Sequence, residues 1–245
     1  MKTQSDVAIA IPFFNERECA AQVLEGLISA FRRADISATF VAVNNGSTDG
    51  TAEIIDKVAE ENREVVPLHL EENQGYSGGI LAGLNKCEAP VVGYTWGDGQ
   101  VNPDAHVEVY NKLVQDDLDL CKVRRTERND GTERTVMTTI YNFLFSVMFR
   151  TGCKDINGCP KLLKKDVFDS LDATSEGWLL DPDIMIKVSD RKLAVAEIPA
   201  VCKPRSTGKS KVNVLLGFQF LWAMIGYFFS GRGRKNVQAA TTAQT

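Results

Sequence analysis

Through the first 125 residues, short apolar runs alternate with longer amphipathic segments, and this rhythm narrows the possible folds more than any other feature. "VAIAI" (7–11) is a five-residue apolar run ending at Pro12, the signature of a strand buried on both faces of a parallel sheet. "NERE" follows, with Asn15 as a candidate N-cap and Glu18 three residues on, a capping-box pattern. Val23, Leu24, Leu27, Ile28 and Phe31 then recur at helical spacing. "TFVAV" (39–43) reads as the second strand, and "STDGTAEIIDKVAEE" as a helix opened by Ser47 or Asp49. The alternation continues through "VVPLHL" (65–70), "GGILAGLNKC" (78–87), "PVVGYT" (90–95), "DAHVEVYNKLV" (104–114) and "LDLCKV" (118–123). Strand and helix in turn predict an α/β fold, a mainly parallel sheet with helices on both faces.

Beyond Arg124 the rhythm breaks. "RRTERNDGTER" is charged and loop-like, and "TVMTTIYNFLFSVMF" (135–149) is a strongly apolar helix. "DINGCPKLL" (155–163), "DPDIMIKVSD" (181–190) and "LAVAEIPA" (193–200) read as strand, helix and strand completing the domain. The expected organisation is one catalytic-sized domain over 1–211, an apolar helix with basic flanks over 212–235, and a small polar tail over 236–245 expected to be disordered. Within the second part, "VLLGFQFLWAMIGYFF" (214–229) is sixteen residues long, short of the ~20 needed to cross a bilayer. Lys209 and Lys211 precede it and Arg232, Arg234 and Lys235 follow. Basic flanks and aromatic content predict a helix lying in a membrane interface, the alternative being a helix buried between copies of the chain. The N-terminus has no long apolar region with a small-residue cleavage site, so no secretory signal is expected.

A net charge of −4 over 245 residues argues against a general nucleic-acid binder, which carries a basic excess. Six cysteines without a CxxC pair, and only His69 and His106, argue against a zinc site. The cysteines read as reduced, mostly buried residues of a cytosol-facing protein.

In an open α/β sheet, ligands sit beyond the carboxyl ends of the strands. The loops at those ends are "PFFNE" (12–16), "NNGSTDGT" (44–51), "ENQGYSGG" (72–79) and "WGDGQ" (96–100), each polar or glycine-rich behind an apolar strand. Four such loops on one rim describe a binding crevice. Asp98, wedged between two glycines, reads on its own as the acidic residue of a tight turn. The alternative is a metal ligand on a catalytic loop.

"IAIPFFNE", "VAVNNGSTDGT", "NQGYSGGILAGL" and "GDGQ" resemble, in order, the motifs of family 2 glycosyltransferases of the GT-A (Rossmann-like) fold. The resemblance is closest to the polyprenyl-phosphate (dolichol-phosphate) mannosyl- and glucosyltransferase-like enzymes. "DINGCPKLLKKDVF", "LLDPDIMIKV" and the R-x-x-G-x-S-K run in "PRSTGKSK" (204–211) extend it over roughly residues 5–215. It implies a nucleoside site at Pro12, Phe14, Glu16, Asn44, Asn45, Gly46, Ser47 and Gly75. Both acids of the family's acidic pair are asparagines here. It also implies Mg²⁺ or Mn²⁺ on Asp98 and Gln100, with Trp96 in the place of the first metal-loop acid. Trp96 is then free to stack on the nucleotide or sugar, or simply to pack the rim.

For the phosphates, the resemblance implies Arg125, Arg134 and Thr138, with Arg205, Ser206, Ser210 and Lys211 as a closing loop. Asp155, Asp181 and Asp183 fall where the family places acceptor-side carboxylates. A hydroxyl acceptor needs one of them as general base, whereas a phosphate acceptor is already ionised. The implied activity is inverting, metal-dependent hexosyl transfer from a UDP- or GDP-linked donor to a membrane-associated acceptor, foremost polyprenyl phosphate. That places the enzyme on the cytoplasmic face of a membrane. The alternatives are transfer to a saccharide hydroxyl in surface polysaccharide assembly, or a non-catalytic sugar-nucleotide-binding protein.

Overall fold

The computed structural model of the chain describes residues 5–127, 132–174 and 177–203, with side chains along most of this length. One seven-stranded sheet runs through it in the order β3-β2-β1-β4-β6-β5-β7. The strands are β1 (Val7–Phe13), β2 (Ala38–Asn45), β3 (Val65–Leu70), β4 (Val91–Tyr94), β5 (Leu120–Glu127), β6 (Lys161–Lys164) and β7 (Val195–Val201). The helices are α1 (Ala20–Arg33), α2 (Thr51–Glu61), α3 (Gly75–Leu84), α4 (Pro103–Gln115), α5 (Thr132–Phe149), α6 (Lys165–Leu171) and α7 (Leu180–Asp190). Only β6 is antiparallel to its neighbours, β4 and β5. The other six strands share one direction.

Strand β1 shows why the sheet is covered on both sides. Val7, Ile9, Ile11 and Phe13 point into one core with α1, α2 and α4, while Ala8 and Ala10 point into a second core with α3, α5, α6 and α7. Every residue of an apolar run buried on both faces is thereby removed from water, which is why the run reads as continuous rather than alternating. Small residues let α3 come close. A Cβ on Gly83 would meet Ala10 Cβ at 2.7 Å and Val43 Cγ2 at 2.8 Å.

Local signals were less accurate than the alternation. Asn15 does not cap α1: it sits at φ 56°, the cap position belongs to Cys19, and no side chain caps that end. The asparagine instead bonds to the next rim loop, so the apparent capping box serves a tertiary contact. Ser47 is not the cap of α2 either. Gly50 holds that position at φ 92°, and Asp49 Oδ1 accepts the Thr51 N–H at 3.0 Å from just outside the helix. Strand β1 continues through Pro12, which falls past the last β4 partner pair, Ala10–Tyr94, and faces only β2. A missing N–H is tolerated there. The strand expected over 155–163 occupies only Lys161–Lys164, and α6 follows it at once.

All six cysteines are buried and free of disulfides. No described helix is long and apolar enough to cross a membrane. The apolar run 214–229, its basic flanks and the tail 236–245 lie outside the described residues.

Candidate active site

Because six strands point the same way, the loops after β1, β2, β3, β4, β5 and β7 gather at one rim of the sheet. β6 runs oppositely, so residues 155–160, which precede it, reach the same rim.

The rim after β1 and β2 is laced together by short polar side chains. The Asn15 N–H donates to Ser47 Oγ at 3.0 Å, the Thr48 N–H to Asn15 Oδ1 at 2.9 Å, and the Glu16 N–H to Thr51 Oγ1 at 3.0 Å. Pro12, Phe14, Glu16, Gly46 and Ser47 are half-buried along it. Asn44, buried, accepts the Ser47 N–H at 3.0 Å and so forms the turn that carries Gly46 at φ 66°. A Cβ on Gly46 would lie 2.5 Å from Asn73 N, so this backbone packs directly on the loop after β3. Asn45, also buried, uses both ends of its amide at the start of α3: Oδ1 accepts the Gln74 N–H at 3.0 Å and Nδ2 donates to Gly75 O at 2.9 Å. An aspartate could make the first bond and not the second. The asparagine is thus explained by its own surroundings.

The loop after β4 carries Trp96, Asp98 and Gln100. Asp98 is half-buried, and its Oδ1 accepts the Gln100 N–H at 3.2 Å. Gln100 Nε2 donates to Lys203 O at 3.0 Å, the Lys203 N–H donates to Gln100 O at 2.8 Å, and Val101 bridges Cys202. The chain leading into 204–211 therefore departs from beside Asp98. Arg205, Ser206, Ser210 and Lys211 lie outside the described residues. No group of three or more His, Cys, Asp or Glu among the described residues could hold a metal ion. The Asp98 carboxylate and the Gln100 amide oxygen are donors of the kind a hard divalent cation takes, and two protein oxygens would leave most of its shell to other ligands.

Buried charge dominates the far side of the rim. Arg125, at the end of β5, grips Asp155 with two side-chain bonds of 2.7 Å and a backbone N–H bond of 3.0 Å. Burial alone would raise the Asp155 carboxyl, but the Arg125 bonds and charge, helped by Lys122, hold it well below the ordinary carboxylate range. Lys122, fully buried, donates to Asp155 O and reaches Glu197 Oε1 at 3.0 Å. Glu197 in turn accepts the backbone N–H groups of Lys154 and Asp155.

Asp181 opens α7 in a second buried cluster, where it accepts from Tyr94 Oη and Tyr76 Oη, each at 2.7 Å, and from Lys161 Nζ. Burial, then the Asp181 charge, pushes both tyrosine hydroxyls well above their ordinary value, which keeps them protonated donors. Asp183 is buried with Lys187 Nζ 2.9 Å from its Oδ2. Trp96 joins the two clusters. Its Nε1 donates to Tyr76 Oη at 3.2 Å, and the Arg125 guanidinium lies 5.2 Å from its ring centroid. Arg134 and Thr138 belong to α5, but their side chains lie outside the described residues.

Lys122, Lys161, Tyr76, Tyr94 and Glu197 have no place in the sequence reading. Lysines inside "LDLCKV" and "CPKLL" were the available signal, since a lysine in an apolar strand stays buried only if paired.

With this geometry in place, the comparisons define the class. Residues 8–172 match the model of glycosyl transferase family 2, and the chain belongs to that family. Its fold is GT-A. The chain is 23% identical over 210 residues to the undecaprenyl-phosphate 4-deoxy-4-formamido-L-arabinose transferase of Proteus mirabilis, covering 85% of this chain and 63% of that protein. It is likewise 23% identical over 236 residues to a dolichyl-phosphate beta-glucosyltransferase of Trichomonas vaginalis, covering 89% and 70%. The chain thus spans less than two thirds of the Proteus relative. Among solved structures, glucosyl-3-phosphoglycerate synthase from Mycobacterium tuberculosis, crystallised with Mn²⁺, UDP and glucosyl-3-phosphoglycerate, superposes with a TM-score of 0.67. It is 16% identical, over 92% of this chain and 77% of that one. A mannosyltransferase from Pyrobaculum calidifontis with GDP-Man and Mn²⁺ gives 0.60 at 14% identity, over 99% and 75%.

Proposed function

We propose that the chain transfers a hexosyl group from a UDP- or GDP-linked donor to polyprenyl phosphate at a membrane surface. The observation that carries this reading is the pairing of the acceptor-side acids. Asp155 is gripped by Arg125, Asp181 by Lys161 and two tyrosines, and Asp183 lies beside Lys187. A hydroxyl acceptor must give up a proton to a base within reach, and buried carboxylates tied up in this way are poor bases. An acceptor phosphate arrives ionised and needs none. The named relatives, which carry sugars to undecaprenyl and dolichyl phosphates, support the same choice.

In this reading an acceptor phosphate oxygen attacks the anomeric carbon. The bond to the donor diphosphate breaks, and its electron pair leaves on the nucleoside diphosphate. A single displacement inverts the anomeric centre. Pro12, Phe14, Glu16, Asn44 to Ser47 and Gly75 border the nucleoside. Arg125, Arg134, Thr138, Arg205, Ser210 and Lys211 serve the phosphates. Asp98 and Gln100 would hold Mg²⁺ or Mn²⁺, which neutralises the departing diphosphate when bound. The basic and apolar stretch 212–235 attaches the enzyme peripherally to the cytoplasmic membrane face.

The test is product formation from a panel of UDP- and GDP-sugars with Mn²⁺, offered either a polyprenyl phosphate or a free glycan. Label in the lipid phosphate supports the reading, and label in the glycan alone replaces it with polysaccharide assembly. Nucleotide-sugar binding without any product makes the chain a binding protein. Pelleting with anionic liposomes, abolished by truncation after Lys211, tests the membrane attachment separately.

A further inference from the structure

We propose that Trp96 is a positioning residue, holding Arg125 onto Asp155 from the place where the family pattern has an acidic metal ligand. The inference rests on the phosphate role given to Arg125 above. Arg125 is fixed on two sides: its edge makes two 2.7 Å bonds to Asp155, and its guanidinium carbon lies 5.2 Å from the Trp96 ring centroid. The indole is fixed in turn. Its N–H donates to Tyr76 Oη at 3.2 Å, Tyr76 Oη donates to Asp181 at 2.7 Å, and the Tyr76 ring stacks on Trp178 with centroids 5.0 Å apart. The rest of the indole packs against both hydrophobic cores.

This setting explains why an acid does not suit position 96. A carboxylate there would sit beside the face of Arg125 that the indole now covers and would compete with Asp155 for the guanidinium. It would also take away the N–H that satisfies Tyr76. Restoring the family's acid therefore breaks a linked pair of clusters rather than returning a lost ligand. An aromatic face packs on Arg125 without adding a second carboxylate to compete with Asp155.

The test compares Trp96→Phe, Trp96→Leu, Trp96→Asp, Arg125→Met and the Trp96→Leu/Arg125→Met double variant. Donor KM, kcat, half-saturating Mn²⁺ and Mn²⁺-dependent UDP binding are measured on full-length protein. Trp96→Phe, which keeps a ring, should stay within about 3-fold of the parent kcat, and Trp96→Leu should lose about 10-fold. Trp96→Asp should fall further, with half-saturating Mn²⁺ unmoved. The double variant should be no worse than the poorer single one, because both changes remove one arrangement.

Retained activity in Trp96→Asp with a lowered Mn²⁺ requirement would overturn the proposal, as would simple multiplication of the two single effects. Arg125→Met with parental activity would instead remove the phosphate role of Arg125, so the two failures are distinguishable. Should Arg125→Met not fold with Asp155 left unpaired, Arg125→Lys replaces it in the cycle with the same expectation.

Discussion

The two halves of the crevice are built from different materials. The half proposed to take the nucleoside is held mainly by neutral groups: Asn15 and Asn45 bond across loops, Asn44 bonds within its own turn, and Asp49, accepting from Arg17 and Thr51, is the charged exception. The half proposed to take the acceptor is made of buried charge: Arg125 with Asp155, Lys122 with Glu197, and Lys161 with Asp181. A neutral hydrogen bond contributes about 0.5–1.5 kcal/mol net, whereas removing one partner of a buried ion pair costs about 3–5 kcal/mol. The first half can be altered with the fold kept. In the second, changes at the proposed site act on folding as well.

The largest expected effect lies in the acceptor half. Lys161→Met leaves Asp181 buried without its counter-ion and should lower unfolding free energy by about 3–5 kcal/mol. Urea denaturation measures it, and a loss below about 1 kcal/mol would mean that the tyrosine bonds alone hold Asp181.

Asp98→Ala, on the shared loop, should behave in the opposite way. Turnover should fall about 100-fold, with unfolding free energy within about 1.5 kcal/mol of the parent, the range of the lost Gln100 N–H bond. A chelator should reproduce the loss in the parent protein. Parental turnover in the variant, with no chelator effect, would remove the cation from the account.

Asn45→Asp probes the nucleoside half and should be milder. The new carboxylate faces Gly75 O with no N–H to give, at a cost of about 1–3 kcal/mol in stability. Calorimetric melting gives that figure, and a neutral result would show that the start of α3 rearranges without difficulty.

A pH dependence completes the series. His106 is buried, bonds Thr95 Oγ1 at 2.8 Å, and is depressed by burial to about 4. A depressed histidine stabilises fully above the unfolded value of about 6.5, and that stability is lost as pH falls towards about 4. The slope it adds is at most about 1.4 kcal/mol per pH unit, and His106→Gln should flatten it. An unchanged slope in that variant would assign the acid sensitivity to other groups.

The same contrast governs what the sequence discloses. The rim loops were legible because each follows its strand directly, so an apolar run ending in "NNGSTDGT" or "WGDGQ" carries the loop's place. The sheet was legible for a similar reason, since Ile9, Ile11 and their neighbours show burial on both faces in a single run. The buried charge clusters were legible only as isolated acids. Tyr76 and Tyr94 meet Asp181 across 105 and 87 residues, and such pairings leave no periodic trace. Helix starts failed more locally. Asn15 has the chemistry of a cap, but its side chain found the Thr48 N–H in the neighbouring loop instead.

With Asp155, Asp181 and Asp183 paired, no free base among them serves a hydroxyl, and the proposed acceptor is a group that arrives already ionised. This is tested most directly by a competition in one vessel, with labelled donor sugar and equal amounts of a polyprenyl phosphate and the matching polyprenyl alcohol. The account predicts that label enters the phosphate and leaves the alcohol unmodified across neutral pH. Label in the alcohol at a comparable rate would contradict it, because an active base must then exist among the paired carboxylates.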